Sequence, residues 1–439
     1  MLKTKEYLSQ LAEKSISIAK KYGATDVEVS LSNSISDTIN FRNKKVEHSD
    51  RSEILSLGLT TYIDKKKSNV STSNFDEKNL EKLIQRCVDC SKVSPEDKNT
   101  GLPSKDDLEN ESKDLDLYDQ TNLSNEFKKD FLEEMEEAMF SNPKIKNSNG
   151  SSFSENKSNF IFANSDGFCD GYQSSSFSVF CEALAEENGS MERDYEINIS
   201  RFSDKLENPK EIGKRASEKA CKRLNAKKIK SGKMSIIFDK RVAKSLLSTF
   251  GSAISGSSFA RGTSFLKDSL GKQVFDKKIN IIDDPLIKKA LGSQNFDGEG
   301  VKNEKINLVE NGILKEIFLD SYNSKILNMK TNGRCGGSTN FFIDNGSIDL
   351  KKLISEQKKA FFVKELIGRA GDITNGNYSV GASGILIENG EELYPVNEVT
   401  IAGTLGDMFK NMIAANDLEF KSSTNSPTLL INEMTVAGK

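Results

Sequence analysis

After an opening helical stretch, the apolar residues of this chain leave a 3.6-residue period and fall on alternate positions. From Asp26, Val27 and Val29 alternate with polar partners. Runs of strand character follow around 38–46, 54–63 and 69–73, separated by short polar turns. Alternation of this kind marks strands buried on one face, and such strands pair with their neighbours through tight turns. The succession therefore predicts an antiparallel meander. The stretch before it places Leu8, Leu11, Ala12, Ile18, Ala19 and Tyr22 on one helical face. Thr4 stands at its cap and Gly23 at its left-handed exit.

Asp76 opens a second helix carrying Leu80, Leu83, Ile84 and Cys87, and residues 93–122 read as a long polar surface connection. A helix after Ser124 sets Phe127, Phe131, Met135 and Ala138 on one face, and 147–202 returns to alternating, Ser-rich strands. Asn208-Pro209-Lys210-Glu211 has the cap, the proline and the acid of a helix start. The buried stripe of that helix is Ile212, Ala216, Ala220 and Leu224, and its basic face holds Lys214, Lys219, Lys222 and Arg223. At 439 residues the chain exceeds one ordinary core. Two domains are expected, 1–230 and 231–439, with the boundary near 228–233. In the second half Asn311-Gly312 and Asn389-Gly390 mark hairpin turns. Val242, Leu246, Phe250 and Ile254 mark a helix, and 354–362 a further one. No strict βαβ alternation is present, so the expected class is α+β, with an N-terminal helix plus antiparallel meander and a Gly-rich, β-dominated C-terminal domain.

A formal net charge of −3 gives no global reason to expect nucleic-acid binding. The opening residues 2–6 show no apolar leader, and no run of about 18 apolar residues suggests a membrane span. Six widely spaced cysteines, at 87, 90, 169, 181, 221 and 335, fit a reducing cytoplasm better than a disulfide framework.

The strongest chemical constraint is the single histidine, His48. A helix-borne zinc motif needs two imidazoles, and a Ser-His-Asp triad has only His48 to draw on, without a Gly-x-Ser-x-Gly elbow. Cys87 and Cys90 form a lone Cys-x-x-Cys with no second pair, and Cys335 sits in the Gly-rich turn 333–337 without a base beside it. Asp297 and Glu299 place two carboxylates on one turn, the pattern of an acid–base pair or a cation site, although such turns more often simply hydrogen-bond their own loop. Asp283-Asp284-Pro285 reads as a strand-ending turn. Gly271-Lys272-Gln273 and Gly381-Ala382-Ser383-Gly384 lack the context of a phosphate cradle.

An ordered set of segments is similar to the TldD/PmbA family, and within it to the PmbA (TldE) branch. The set comprises Ser252-Ala253-Ile254-Ser255-Gly256-Ser257-Ser258, Ser269-Leu270-Gly271-Lys272-Gln273 and Phe296-Asp297-Gly298-Glu299-Gly300-Val301. It continues with Glu365-Leu366-Ile367-Gly368, Thr374-Asn375-Gly376-Asn377-Tyr378-Ser379, Glu398-Val399-Thr400-Ile401-Ala402-Gly403 and Val436-Ala437-Gly438. The resemblance implies a two-domain protein that dimerises around an internal cavity and takes part in limited proteolysis of small or unfolded peptides. Members also bear the name modulator of DNA gyrase. The metal-bearing TldD branch carries His-Glu-x-x-x-His on a helix and a cysteine near the carboxyl end. Here the matching helix reads Leu246-Leu247-Ser248-Thr249-Phe250-Gly251-Ser252, and 420–427 holds no cysteine. The implied reading is a chain that binds no cofactor and is not catalytic alone, with zinc expected only in a TldD-like partner. It would pair with that partner or with itself, and its ligands would be peptides. Extended peptides bind by pairing with sheet edges, so the Gly-rich run Tyr378, Ser379, Gly381, Ala382, Ser383 and Gly384 is a candidate contact, with a plain turn into the next strand as its equal alternative. The alternative function is a stand-alone homodimeric module that binds peptides or proteins without cleaving them.

Overall fold

Thr4 accepts the N–H of Tyr7 at 3.2 Å and starts α1 (Lys5–Lys21), which buries Leu8, Ala12 and Ala19 and ends at Gly23 with φ +102°. The computed structural model describes residues 2–111, 113–368 and 370–439. After α1 come β1 (Asp26–Arg42), β2 (Lys45–Ile63), β3 (Lys66–Thr72), α2 (Glu77–Val93) and α3 (Asn125–Phe140). The first half closes with β4 (Ile145–Asn164), β5 (Cys169–Glu187), β6 (Ser190–Ser200) and α4 (Pro209–Lys222). The six strands form one antiparallel sheet in the order β3-β2-β1-β4-β5-β6. Val27, Val29, Leu31, Ile39 and Phe41 are all odd-numbered on β1, so they share a face. On that face α1 and α2 cover one end of the sheet and α3 and α4 the other.

The opposite face is lined with hydroxyls. Ser30, Ser32, Ser34, Ser36 and Thr38 alternate along β1, and Thr38 and Ser154 meet at 2.9 Å. Serine neither buries apolar area nor breaks the pleat, so strands that look short from their apolar residues run on for 17 to 20 residues. The run expected at 38–46 is in fact two strand ends joined at Asn43 and Lys44, both with positive φ. The buried face of α3 also differs from expectation. Leu132, Met135 and Met139 point inward beside a buried Lys128, which pairs with Asp37 at 3.2 Å and Glu155 at 2.8 Å, while Phe127 stays exposed.

The second half begins with β7 (Gly232–Phe238), α5 (Lys240–Ala253) and α6 (Gly256–Ala260), followed by β8 (Ile281–Asp283), β9 (Ile306–Glu310), β10 (Ile313–Leu314), α7 (Ser321–Leu327) and β11 (Phe341–Ile343). Next are α8 (Leu350–Ser355), β12 (Lys359–Ile367), β13 (Asn377–Glu388), β14 (Glu391–Thr404), α9 (Leu405–Lys410), β15 (Met412–Ala414), β16 (Thr424–Asn425) and β17 (Leu429–Ala437). Pairing runs β14-β13-β12-β7-β17, and β14 also pairs with β17, so these five strands close into a barrel. A smaller sheet, β10-β9-β8-β11-β16, lies beside it. Both Asn-Gly turns adopt positive φ at both residues, 49° and 75° at Asn311-Gly312, 52° and 81° at Asn389-Gly390. The helix expected over 354–362 stops at Ser355, because Ala360, Phe361, Phe362 and Val363 are buried on both faces of a barrel strand.

The chain is a mixed α+β protein. Among the described residues no helix is long and apolar enough to cross a membrane. The halves are joined by apolar and polar contacts: Phe296 inserts among Phe160, Phe168 and Tyr172, with ring centroids 5.2 to 6.4 Å away. Arg201 donates to the carbonyls of Ala290 and Leu291.

Candidate functional site

Asp239 caps α5 by accepting the N–H of Arg241 at 2.9 Å. The helix buries Val242, Ala243, Leu246, Leu247, Phe250 and Ala253 in the barrel core. That leaves Arg241, Lys244, Ser245, Ser248, Gly251 and Ser252 on the other side, three or four residues apart, as one stripe. The stripe floors a groove with two parts. One, of about 510 Å³, lies between α5, residues 364–366 of β12 and residues 422–424. The other, of about 460 Å³, lies between α5, Asp320 and the loop 336–338. Ser248 and Thr424 line both, so the groove is continuous along the helix.

The helix serines do not point free donors into it. Ser245 donates to the carbonyl of Val242, Ser248 to that of Lys244 and Ser252 to that of Ser248, at 2.7, 3.0 and 3.1 Å. Each keeps only its acceptor capacity for the groove. Ser248 therefore bonds the backbone of Lys244 rather than its ammonium, which is not the contact of a Ser-Lys nucleophile pair. Asp320 is engaged in capping α7, where it accepts from Asn323. Zinc takes thiolate, imidazole and carboxylate ligands, whereas this groove offers hydroxyls and two carboxylates already engaged, Asp320 at the cap of α7 and Glu365 with Arg223. Among the described residues no three His, Cys, Asp or Glu side chains are grouped to hold a metal. The donor set does not fit the metal that the resemblance implies for the TldD branch.

The far wall of the groove, residues 333–337, is held from behind. Arg334, fully buried, donates to Asp283 at 2.6 Å and to the carbonyl of Glu304 at 2.6 Å, and Asp283 also accepts from Thr339. Asp283 ends β8 where the expected turn begins, and it is a buried anchor. Asp297 accepts the N–H groups of Glu299, Val301 and Cys335 at 2.8 to 2.9 Å, and Glu299 accepts that of Ser321. Burial pushes Asp297 up to about 7 despite those three donors, and Glu299 adds to the push. Glu28 of β1, which accepts from the Tyr62 hydroxyl at 2.7 Å, is likewise pushed up to about 7 by burial. Burial first, and then the surrounding carboxylates Glu299, Asp297, Asp320 and Glu28, raise the Cys335 thiol far above its ordinary range. The two loop acids singled out in the sequence therefore position a wall of the groove, and Cys335 is a poor nucleophile.

The run 378–384 lies elsewhere. It belongs to β13, whose residues 381–384 lie between β12 and β14; residues 378–380 pair with β14 alone, and on their other side Tyr378 bridges to Gly371 and the Ser379 N–H donates to the carbonyl of Ala370. Tyr378 and Ala382 are buried in the core, Ser379 is exposed, and Gly381 lies against Ile367. A Cβ at Gly384 would sit 2.0 Å from the carbonyl oxygen of Phe362, so its glycine is required by strand packing. Ser383 and Gly384 face a cavity of about 200 Å³ between the halves. There Arg223 reaches Glu365 at 2.5 Å and Ser383 at 3.1 Å, and Arg241 reaches Asp194 at 2.6 Å. His48 is exposed on β2, 2.7 Å from Asp50. Cys87 is buried under Thr61 while Cys90 is exposed, so the pair does not converge. Sequence reasoning missed Glu28, Tyr62, Arg334 and Lys244. Only Arg334, within the Gly-rich turn 333–337, carried a local signal.

Three family profiles match the chain in succession: PmbA/TldA metallopeptidase domain 1 over 27–91, the central domain over 118–224 and the C-terminal domain over 231–438. A protein of Haemophilus influenzae named Metalloprotease PmbA homolog is 34% identical over 442 residues, covering 100% of this chain and 98% of its own. Metalloprotease PmbA of Escherichia coli is 32% identical over 435 residues, covering 98% and 97%. The crystal structure of a Bacteroides thetaiotaomicron protein described as a candidate modulator of DNA gyrase superposes with a TM-score of 0.92 at 26% identity, covering 98% of each chain. TldE from Thermococcus kodakarensis shares the fold, with a TM-score of 0.84 at 20% identity, covering 97% of this chain and 99% of its own. With profiles that span both halves and full-length relatives above 30% identity, the chain belongs to the PmbA/TldD metallopeptidase family.

Proposed function

We propose that this chain is the metal-free subunit of a two-chain peptidase, pairing with a metal-bearing TldD-type chain that supplies zinc and the general base. The observation that carries this reading is the chemistry of α5. Where the resemblance aligns a His-Glu-x-x-x-His helix, Ser248, Gly251 and Ser252 face the groove, with the serine hydroxyls bonded to their own backbone. A groove whose serine hydroxyls bond their own backbone, and whose acids Glu365 and Asp320 are held by Arg223 and by the cap of α7, can receive and orient a chain without supplying an activated nucleophile.

In this reading the chain's own residues shape a chamber and exclude water, and the hydroxyl-lined open face of the β1–β6 sheet forms part of its wall. Hydroxyls solvate a passing backbone without offering an apolar patch on which an unfolded chain would stick. Mixing the purified chain with a zinc-bearing TldD-type homologue tests the pairing. Light scattering is expected to show a mixed species, with cleavage of an unfolded peptide only in the mixture. Two non-associating homodimers would overturn it and would favour a stand-alone binding module.

A further inference from the structure

From the open edge of β12 and the groove beside it, we infer that this chain holds an extended peptide by its backbone and selects one that places a carboxylate at Lys244. The inference rests on the proposed role of the groove and names what occupies it.

The edge comes first. β12 pairs with β7 only as far as Val363, opposite Phe238, after which β7 turns away into α5. Its other side stays paired with β13 through Ile367. Among the described residues no strand lies against the β7 side of residues 364–367, and 364–366 line the groove; the Lys364 carbonyl is held by Arg241 at 2.8 Å, which leaves 365–367 as the open edge. Unpaired strand backbone beside a cleft is the geometry that accepts an added strand. The stripe on α5, 14 residues long, spans ~21 Å, room for about six extended residues.

Charge supplies the selectivity. Cations around this part of the groove are mostly neutralised within the fold: Arg241 by Asp194, and Lys364 by Asp239 at 2.8 Å. Glu365, the acid that lines this part of the groove, is taken by Arg223. Lys244 has no carboxylate partner among the described residues. Partial burial and the adjacent Arg241 guanidinium hold its ammonium below the ordinary lysine range. An unpaired ammonium in a groove of neutral hydroxyl acceptors lacks only an anion, and a peptide carboxylate supplies one together with the backbone groups that the edge requires.

The test uses the full chain and fluorescence anisotropy with a labelled, unstructured Gly-Ser-Ala peptide, as the free acid, as the C-terminal amide, and N-methylated at alternate backbone amides. The free acid is expected to bind about tenfold more tightly than the amide. Lys244→Glu should abolish that difference, Lys244→Arg should keep it, and N-methylation should remove binding to the wild-type chain. Equal affinity for acid and amide, or a preference that survives Lys244→Glu, would overturn the selection. Binding that survives N-methylation would overturn the edge pairing, and no binding at all would overturn both. The wild-type chain, mixed with the TldD-type homologue in light scattering, separates the two readings. Association together with the acid preference supports both, whereas absent association with an intact acid preference removes the two-chain peptidase and leaves the groove.

Discussion

Arg334 donates from Nε to the Asp283 carboxylate at 2.6 Å with both side chains at zero exposure, and this pair fixes the loop that walls the groove. The guanidinium also bonds the carbonyls of Asn332 and Glu304, so its charge and its donors are spent inside the fold. Removing one partner strands the other charge without water. Arg334→Leu is expected to cost about 3–5 kcal/mol in urea unfolding. The double variant Asp283→Leu/Arg334→Leu should recover a large part of that loss, and a single variant within 1 kcal/mol of wild type, on the order of a surface pair, would contradict the anchor role.

Glu28 and Asp297, on facing sides of the junction between the halves, both have folded pKa values near 7, raised chiefly by burial. Between about pH 4, where free carboxyls titrate, and pH 7, the folded chain holds protons that the unfolded chain has released. Their contribution is therefore fully favourable below that window and is lost as pH rises through it. Glu28→Gln keeps an acceptor for the Tyr62 hydroxyl and removes the titration. The thermal midpoint of Glu28→Gln relative to wild type should rise from pH 5 to pH 8. A difference that stays flat would show that Glu28 does not titrate there.

Local order was legible in the sequence wherever one residue sets the geometry: Thr4, Asp76, Ser124 and Asn208 cap helices, and the two Asn-Gly pairs turn hairpins. Strand length was not, because the serines on the open face of β1, β4 and β5 carry no apolar signal. The site was legible only in part. Asp297 and Glu299 could be picked out as a pair of turn carboxylates, but their partners come from distant segments, Cys335 and Ser321, and from β1 through the field of Glu28. Tyr378 to Gly384 stood out for its glycines, which pack strands closely inside the barrel instead of opening an edge. Lys244 gave no signal, since its meaning lies in which neighbouring cations are already paired.

Two glycines make a matched contrast. A Cβ at Gly384 meets the Phe362 carbonyl oxygen at 2.0 Å, while one at Gly406, in α9, meets nothing within 4 Å. Gly384→Ala should destabilise by roughly 1–3 kcal/mol through overpacking. Gly406→Ala should be neutral or stabilise by up to about 1 kcal/mol through helix propensity. Equal responses in denaturant unfolding would argue against the β12–β13 packing described here.

The most direct measurement is zinc bound per chain, by elemental analysis, for this chain and for a TldD-type homologue, each purified from zinc-supplemented medium and dialysed. The α5 chemistry predicts substoichiometric zinc in this chain and about one retained ion in the homologue, as expected for a three- or four-ligand site. One zinc per chain surviving dialysis here, together with peptide cleavage by this chain alone, would contradict the central claim and place a functional metal site on residues other than those of the groove.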